Sequence, residues 1–119
     1  MISVTKRYSI SASHHLEDYE GKCHRTHGHN YVIEATVSAA SIRDLMHNNI
    51  LLDFGDMKKD LEVVVGIADH YDLNEVYNER NPTAEYLAAR WLEQLRQRDG
   101  RYTRVRVYET EDGYAEATA

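Results

Sequence analysis

The stretch Gly21-Lys22-Cys23-His24-Arg25-Thr26-His27-Gly28-His29, running on into Asn30-Tyr31-Val32-Ile33-Glu34-Ala35-Thr36-Val37, decides how the chain is read. Four of its first nine residues are His or Cys. After them Tyr31, Ile33, Ala35 and Val37 alternate with more polar neighbours, the period of a strand with one buried face. Side chains two apart in a strand share a face, so His27 and His29 converge on one point without help from the rest of the fold. Two imidazoles do not complete a catalytic zinc site, which takes three protein ligands and keeps one position open.

The third donor is sought in the strand before it. Ile2, Val4, Lys6, Tyr8 and Ile10 alternate as well, and that run leads through Ser11-Ala12-Ser13 to His14-His15. If residues 2–14 and 27–38 pair as an antiparallel hairpin, the loop 15–26 carries His14 or His15 beside the pair and hangs Cys23 over it. Two readings follow. With three histidines on the ion, Cys23 is a free thiol beside a catalytic centre; with Cys23 as the fourth ligand, the site is a closed structural one. The second reading needs no chemistry at all.

Working outward, residues 54–68 place Phe54, Met57, Leu61, Val64, Val65 and Ala68 at helical spacing, with Asp53 as N-cap and Asn48-Asn49 as a preceding turn. The β-branched run Val63-Val64-Val65 opposes a helix, but the spacing favours one. Leu87, Ala88, Trp91, Leu92 and Leu95 predict a second helix over 83–97, capped by Asn81, with Pro82 in its first turn and Gly100 as its stop. Arg104 to Glu109 and Tyr114 to Thr118 read as two strands joined by a turn at Asp112-Gly113. The expected class is therefore α+β, in the order ββααββ, a single domain over 1–119.

Composition narrows the function classes. The 119 residues carry a net charge of −6, and the arginines at 96, 98, 101, 104 and 106 are diluted by Asp99, Glu109, Glu111 and Asp112, so no nucleic-acid partner is expected. No apolar run approaches the ~20 residues that span a bilayer, and no secretory leader is read at Met1, so a cytoplasmic protein without a membrane partner is expected. The one cysteine cannot form an internal disulfide. Its setting among histidines, a lysine and an arginine favours a reactive thiol. Asp69-His70, at the end of the first helix, reads either as a surface pair or as a proton-transfer dyad. Glu109 reads either as a solvated carboxylate or as an acceptor for a planar ring with adjacent N–H donors.

Taken together, Ala12-Ser13-His14, Cys23-His24-Arg25-Thr26-His27-Gly28-His29, Asp53-Phe54, Asp69-His70 with Leu73-Asn74, Asn81-Pro82-Thr83-Ala84-Glu85 and Glu109-Thr110 resemble the 6-pyruvoyltetrahydropterin synthase and 6-carboxytetrahydropterin synthase family. The resemblance spans nearly the whole chain. It implies the tunnelling fold: a four-stranded antiparallel sheet with two helices on one face, closed by trimers into barrels that stack as a homohexamer, with sites between subunits. It implies that His14, His27 and His29 bind one Zn2+ per subunit. Cys23, Asp69 and His70 would be the catalytic proton-transfer group, and Glu109 with Thr110 would bind a small-molecule pterin. The implied reaction is that of a zinc-dependent lyase on 7,8-dihydroneopterin triphosphate. It yields 6-carboxytetrahydropterin, acetaldehyde and triphosphate for queuosine and 7-deazapurine synthesis; the alternatives are a pyruvoyl product or a non-catalytic pterin- and zinc-binding homologue. Two positions depart from the pattern. His15 stands where a basic or amide residue is frequent, and Thr26 where an aliphatic one usually precedes His-Gly-His. Both flank the ligands and bear on substrate choice.

Overall fold

In the computed structural model, which describes all residues 1–119, the first third of the chain is a long hairpin. Strand β1 (Ile2–His14) and strand β2 (His27–Ala39) pair without interruption from Ile2 opposite Ala39 to His14 opposite His27. Strand β3 (Tyr102–Thr110) adds to β2, and β4 (Gly113–Thr118) adds to β3, giving one antiparallel sheet in the order β1-β2-β3-β4. The period-2 pattern sorts its faces. Ile10, Ala12, Tyr31, Ile33, Ala35, Val37, Val105 and Val107 are buried beneath the helices. The opposite face is polar, with Thr5 bonded to Thr36 at 2.7 Å, Arg7 to Glu34 at 2.6 Å and Arg106 to Glu116 at 2.6 Å.

Three helices cover the apolar face: α1 (Phe54–Val64), α2 (Leu73–Tyr77) and α3 (Ala84–Arg98). Trp91, Leu87 and Leu95 of α3 and Met57 and Leu61 of α1 are fully buried in one cluster of 23 residues. Side chains of this size each contribute roughly 1.5–3 kcal/mol when removed from water. The Trp91 indole N–H donates to the Tyr77 hydroxyl at 2.6 Å, so the largest core side chain leaves no polar atom unpaired.

Several boundaries differ from the sequence reading. The first helix ends at Val64 rather than 68, and a 3-10 turn at Gly66–Ala68 finishes the segment, because the β-branched run and Gly66 both weaken the α-helix there. Phe54, expected on the buried stripe, is 52 % exposed. Helix α2 is an element beyond the two helices expected; Asp72 caps it by accepting from the Glu75 N–H. The cap of α3 is Thr83, which accepts from the Tyr86 N–H at 3.1 Å, not Asn81, and Pro82 precedes the cap. Gly100 is not the left-handed stop of α3, whose C-cap is Asp99 in an extended conformation. The β3–β4 loop is Glu111-Asp112, with Gly113 paired opposite Thr110, and Glu109 is the extra residue of a bulge between Tyr108 and Thr110.

Candidate metal centre

The hairpin ends where it brings three imidazoles together. His14 and His27 face each other across the last pair of the ladder, and His29 lies two residues further along β2 on the same face. The ring atoms able to hold an ion on His14, His27 and His29 all lie within 4.8 Å of one another. The choice left open between His14 and His15 is decided by strand parity. His14 continues the buried row of Ile10 and Ala12, whereas His15 lies past the strand end and meets Glu17 at 3.3 Å.

Hydrogen bonds fix the tautomers of two of the three rings. His14 Nδ1 is 2.9 Å from the Pro82 carbonyl and His27 Nδ1 is 2.7 Å from the Arg25 carbonyl. A carbonyl only accepts, so both Nδ1 atoms carry the hydrogen and both Nε2 atoms present lone pairs. Those two Nε2 atoms are 3.0 Å apart. Two lone pairs at that distance repel unless an electrophile lies between them, and nitrogens about 2.0–2.1 Å from a tetrahedral zinc stand roughly 3.3 Å apart. His29 Nε2 is buried without any partner, and burial is the main cause that lowers its pKa. An imidazole with an unused buried nitrogen is suited to a metal ion. The residues present therefore fit a zinc ion.

Cys23 is not part of this group. It lies in a 3-10 turn, Lys22–His24, set up by Gly21 at φ 128°, a conformation favouring glycine. Its side chain is partly exposed, and its carbonyl accepts from the Leu16 N–H at 2.8 Å. Glu109 does reach the triad: its carboxylate oxygens lie 3.9 Å from His14 Nε2 and 3.8 Å from His29 Nε2. Glu109 and Thr110 also line a cavity of about 390 Å³ with Glu85 and Tyr114, so the carboxylate borders the imidazoles on one side and a concave space on the other.

Asp69 and His70 sit on the outer edge of β1. The Ser11 N–H donates to the Asp69 carboxylate at 2.9 Å, and the His70 N–H donates to the Ser11 carbonyl at 2.6 Å. His70 adopts φ 65°, uncommon for a non-glycine residue, and its Nε2 is 3.7 Å from Asp69 with the side chain 81 % exposed. Its ring and His29 line a second cavity, about 420 Å³, with Ser11, Ser13 and Asp72.

Three contributors to the site were not singled out from the sequence. Tyr31 continues the row of His27 and His29, a position the period-2 pattern already marked, and its buried hydroxyl lies 3.3 Å from His14 Nδ1. Burial, with Glu109 second, pushes that phenol far above its ordinary pKa. The carbonyls of Pro82 and Arg25 are backbone atoms, for which side-chain identity gives no signal.

The family model described as 6-pyruvoyl tetrahydropterin synthase matches residues 3–119. A protein of Archaeoglobus fulgidus provisionally named 6-carboxy-5,6,7,8-tetrahydropterin synthase is 35 % identical over 108 residues, covering 91 % of this chain and 88 % of its own. The Synechocystis protein named 6-carboxy-5,6,7,8-tetrahydropterin synthase is 33 % identical over 91 residues, covering 75 % and 70 %. The solved structure of Caenorhabditis elegans 6-pyruvoyl tetrahydropterin synthase superposes with a TM-score of 0.83 at 22 % identity, over 99 % of this chain and 95 % of that one. At that identity the likeness shows the shared tunnelling fold.

Proposed function

The chain belongs to the 6-pyruvoyl tetrahydropterin synthase family, and we propose that within it this protein is a zinc-dependent 6-carboxytetrahydropterin synthase. It would convert 7,8-dihydroneopterin triphosphate and water to 6-carboxytetrahydropterin, acetaldehyde and triphosphate, in a route to queuosine and other 7-deazapurines. The names of the Archaeoglobus and Synechocystis relatives support the 6-carboxy branch. The observation that carries the reading is the junction of Glu109 with the triad. One carboxylate stands within 3.9 Å of two of the three imidazoles and forms the wall of a cavity large enough for a bicyclic ring.

His14, His27 and His29 would hold the zinc. When bound, it supplies Lewis-acid polarisation to the oxygens of the substrate's side chain. Glu109 accepts two hydrogen bonds from adjacent N–H groups of the pterin, fixing the ring so that its side chain points at the triad; Thr110 stands beside it. Cys23 takes a proton from the substrate side chain, and His70, held by Asp69, exchanges one on the opposite side. Triphosphate then departs, and a water adds as the carbon–carbon bond to the two-carbon fragment breaks, so that acetaldehyde leaves and a carboxyl group stays on the ring.

The separation of Cys23 from the triad's own cluster supports a site completed by a neighbouring subunit, in a homohexamer of two stacked trimers. Incubating the zinc-loaded protein with 7,8-dihydroneopterin triphosphate and following the products tests the reading. Acetaldehyde with the 6-carboxy product supports it, pyruvoyl product without acetaldehyde places the protein in the other branch, and an unconsumed substrate overturns both.

A further inference from the structure

His14 is oriented from outside the hairpin. The acceptor of its Nδ1 hydrogen is the carbonyl of Pro82, which lies between α2 and α3, far from both strands in sequence. The peptide unit that carries this carbonyl is held at its other end, where the Thr83 N–H donates back to Asn81. The Asn81 side-chain amide donates to the Asp18 carboxylate at 2.7 Å and its side-chain oxygen accepts from the Asp18 N–H at 3.0 Å. The Asn81 N–H donates to Glu79 at 3.0 Å, and its carbonyl accepts from the Thr83 N–H at 2.8 Å. Every hydrogen-bonding group of Asn81 except one amide hydrogen is thereby engaged, which leaves the following carbonyl little freedom.

Asp18 belongs to the loop between β1 and β2, and the same loop supplies Arg25, whose carbonyl orients His27. Arg80 reinforces the tie, reaching Asp18 at 3.2 Å and Glu17 at 3.2 Å. The Asn81–Asp18 bridge thus joins the two segments whose carbonyls hold the ring nitrogens of His14 and His27. A substitution at either residue would act on the triad without touching it.

We propose that Asn81 is a positioning residue for the metal centre: locked to Asp18, it aims the Pro82 carbonyl at His14 and so holds Nε2 of that ring as a ready lone pair. The inference rests on the reading of the triad as a zinc site, and it gives Asn81 a function other than the helix cap its sequence context suggested. Groups that hydrogen-bond a ligating ring directly, as the Pro82 carbonyl would, are worth roughly 10–100-fold in metal affinity.

The test uses the full chain in four forms: wild type, Asn81→Ala, Asp18→Ala and Tyr77→Phe. Tyr77→Phe weakens the core by orphaning the Trp91 N–H and lies outside the centre. Zinc affinity is read by competition with a chelating fluorophore, and the ring tautomers by nitrogen NMR on the metal-free protein. Asn81→Ala and Asp18→Ala are each expected to lose about tenfold or more in affinity and to blur the Nδ1–H signature of His14, while Tyr77→Phe melts earlier and keeps both. Should Asn81→Ala fail to fold, Asp18→Ala removes the carboxylate half of the bridge from the exposed side, leaving only the Asp18 N–H bond to Asn81, and decides the matter. Affinity within about twofold of wild type, with the tautomer intact in either variant, overturns the positioning role. A wild type that binds no zinc overturns the metal reading instead, and the tautomer arm still judges Asn81.

Discussion

A single unpaired atom organises the chemistry at the residue scale. Leaving a buried polar atom such as His29 Nε2 without a partner costs on the order of 1–3 kcal/mol, and a ligand that satisfies it returns that energy as stability. Zinc at a hundred times its dissociation constant stabilises the folded state by about 2.7 kcal/mol, which in a domain of this size is a shift on the order of 10 °C. Stripping zinc with a chelator is therefore expected to lower the melting temperature of the wild type by about that amount and to leave that of His29→Ala unmoved; scanning calorimetry on both reads it. Cys23 makes the opposite case. Because it stands apart from the triad, Cys23→Ala is expected to retain the full zinc content while turnover falls by roughly 10²–10⁴-fold, the range for loss of a general base. Full turnover in that variant would remove the thiol from the mechanism, and loss of zinc would make it a ligand.

At the scale of elements, the features legible in the sequence are those that obey one period throughout. The hairpin was readable because thirteen consecutive pairs keep the alternation, and the same parity that buries Ile10 and Ala12 selects His14 over His15. What escaped depended on atoms that residue identity does not display. Asn81 looked like a cap because Asn-Pro precedes the apolar stripe of α3, yet its side chain turns back to Asp18 and Thr83 takes the capping position. The α1 end was misplaced because spacing continues through Ala68 while the backbone changes to a 3-10 turn that buries the same side chains. The start of α1 was read correctly: Asp53 accepts from the Gly55 N–H at 2.7 Å, and a Cβ on Gly55 would stand 2.9 Å from that carboxylate. Asp53→Ala is accordingly expected to destabilise the fold by about 1 kcal/mol, seen as a melting temperature lower by a few degrees, with zinc content unchanged.

At the scale of the whole molecule, the sheet presents a problem that one protomer does not solve. Its edges are β1 and β4. The backbone groups of Ser11 and Ser13 on the outer side of β1 are taken up by Asp69, His70 and Tyr71. By the strand's parity the N–H groups of Ser3, Thr5, Arg7 and Ser9 point the same way, along an edge that no other element of the chain covers. Such an edge invites another strand, and pairing β1 of one copy with β4 of the next would close the sheets into a barrel, the assembly proposed above. Ser9 is the position at which to ask. It is exposed, it makes no side-chain hydrogen bond in the protomer, and its N–H is the outward one, so a proline there spares the β1–β2 ladder and removes a donor from the free edge only. Ser9→Pro is expected to fold, to bind zinc through an intact triad, and to run on light-scattering chromatography as a smaller species than the wild type. If the site is shared between subunits, as proposed, synthase turnover should fall with the assembly while each triad survives. A variant that stays monomeric yet turns over at the wild-type rate would show that one protomer carries the whole site, and that Cys23, Asp69 and His70 meet the triad within a single chain.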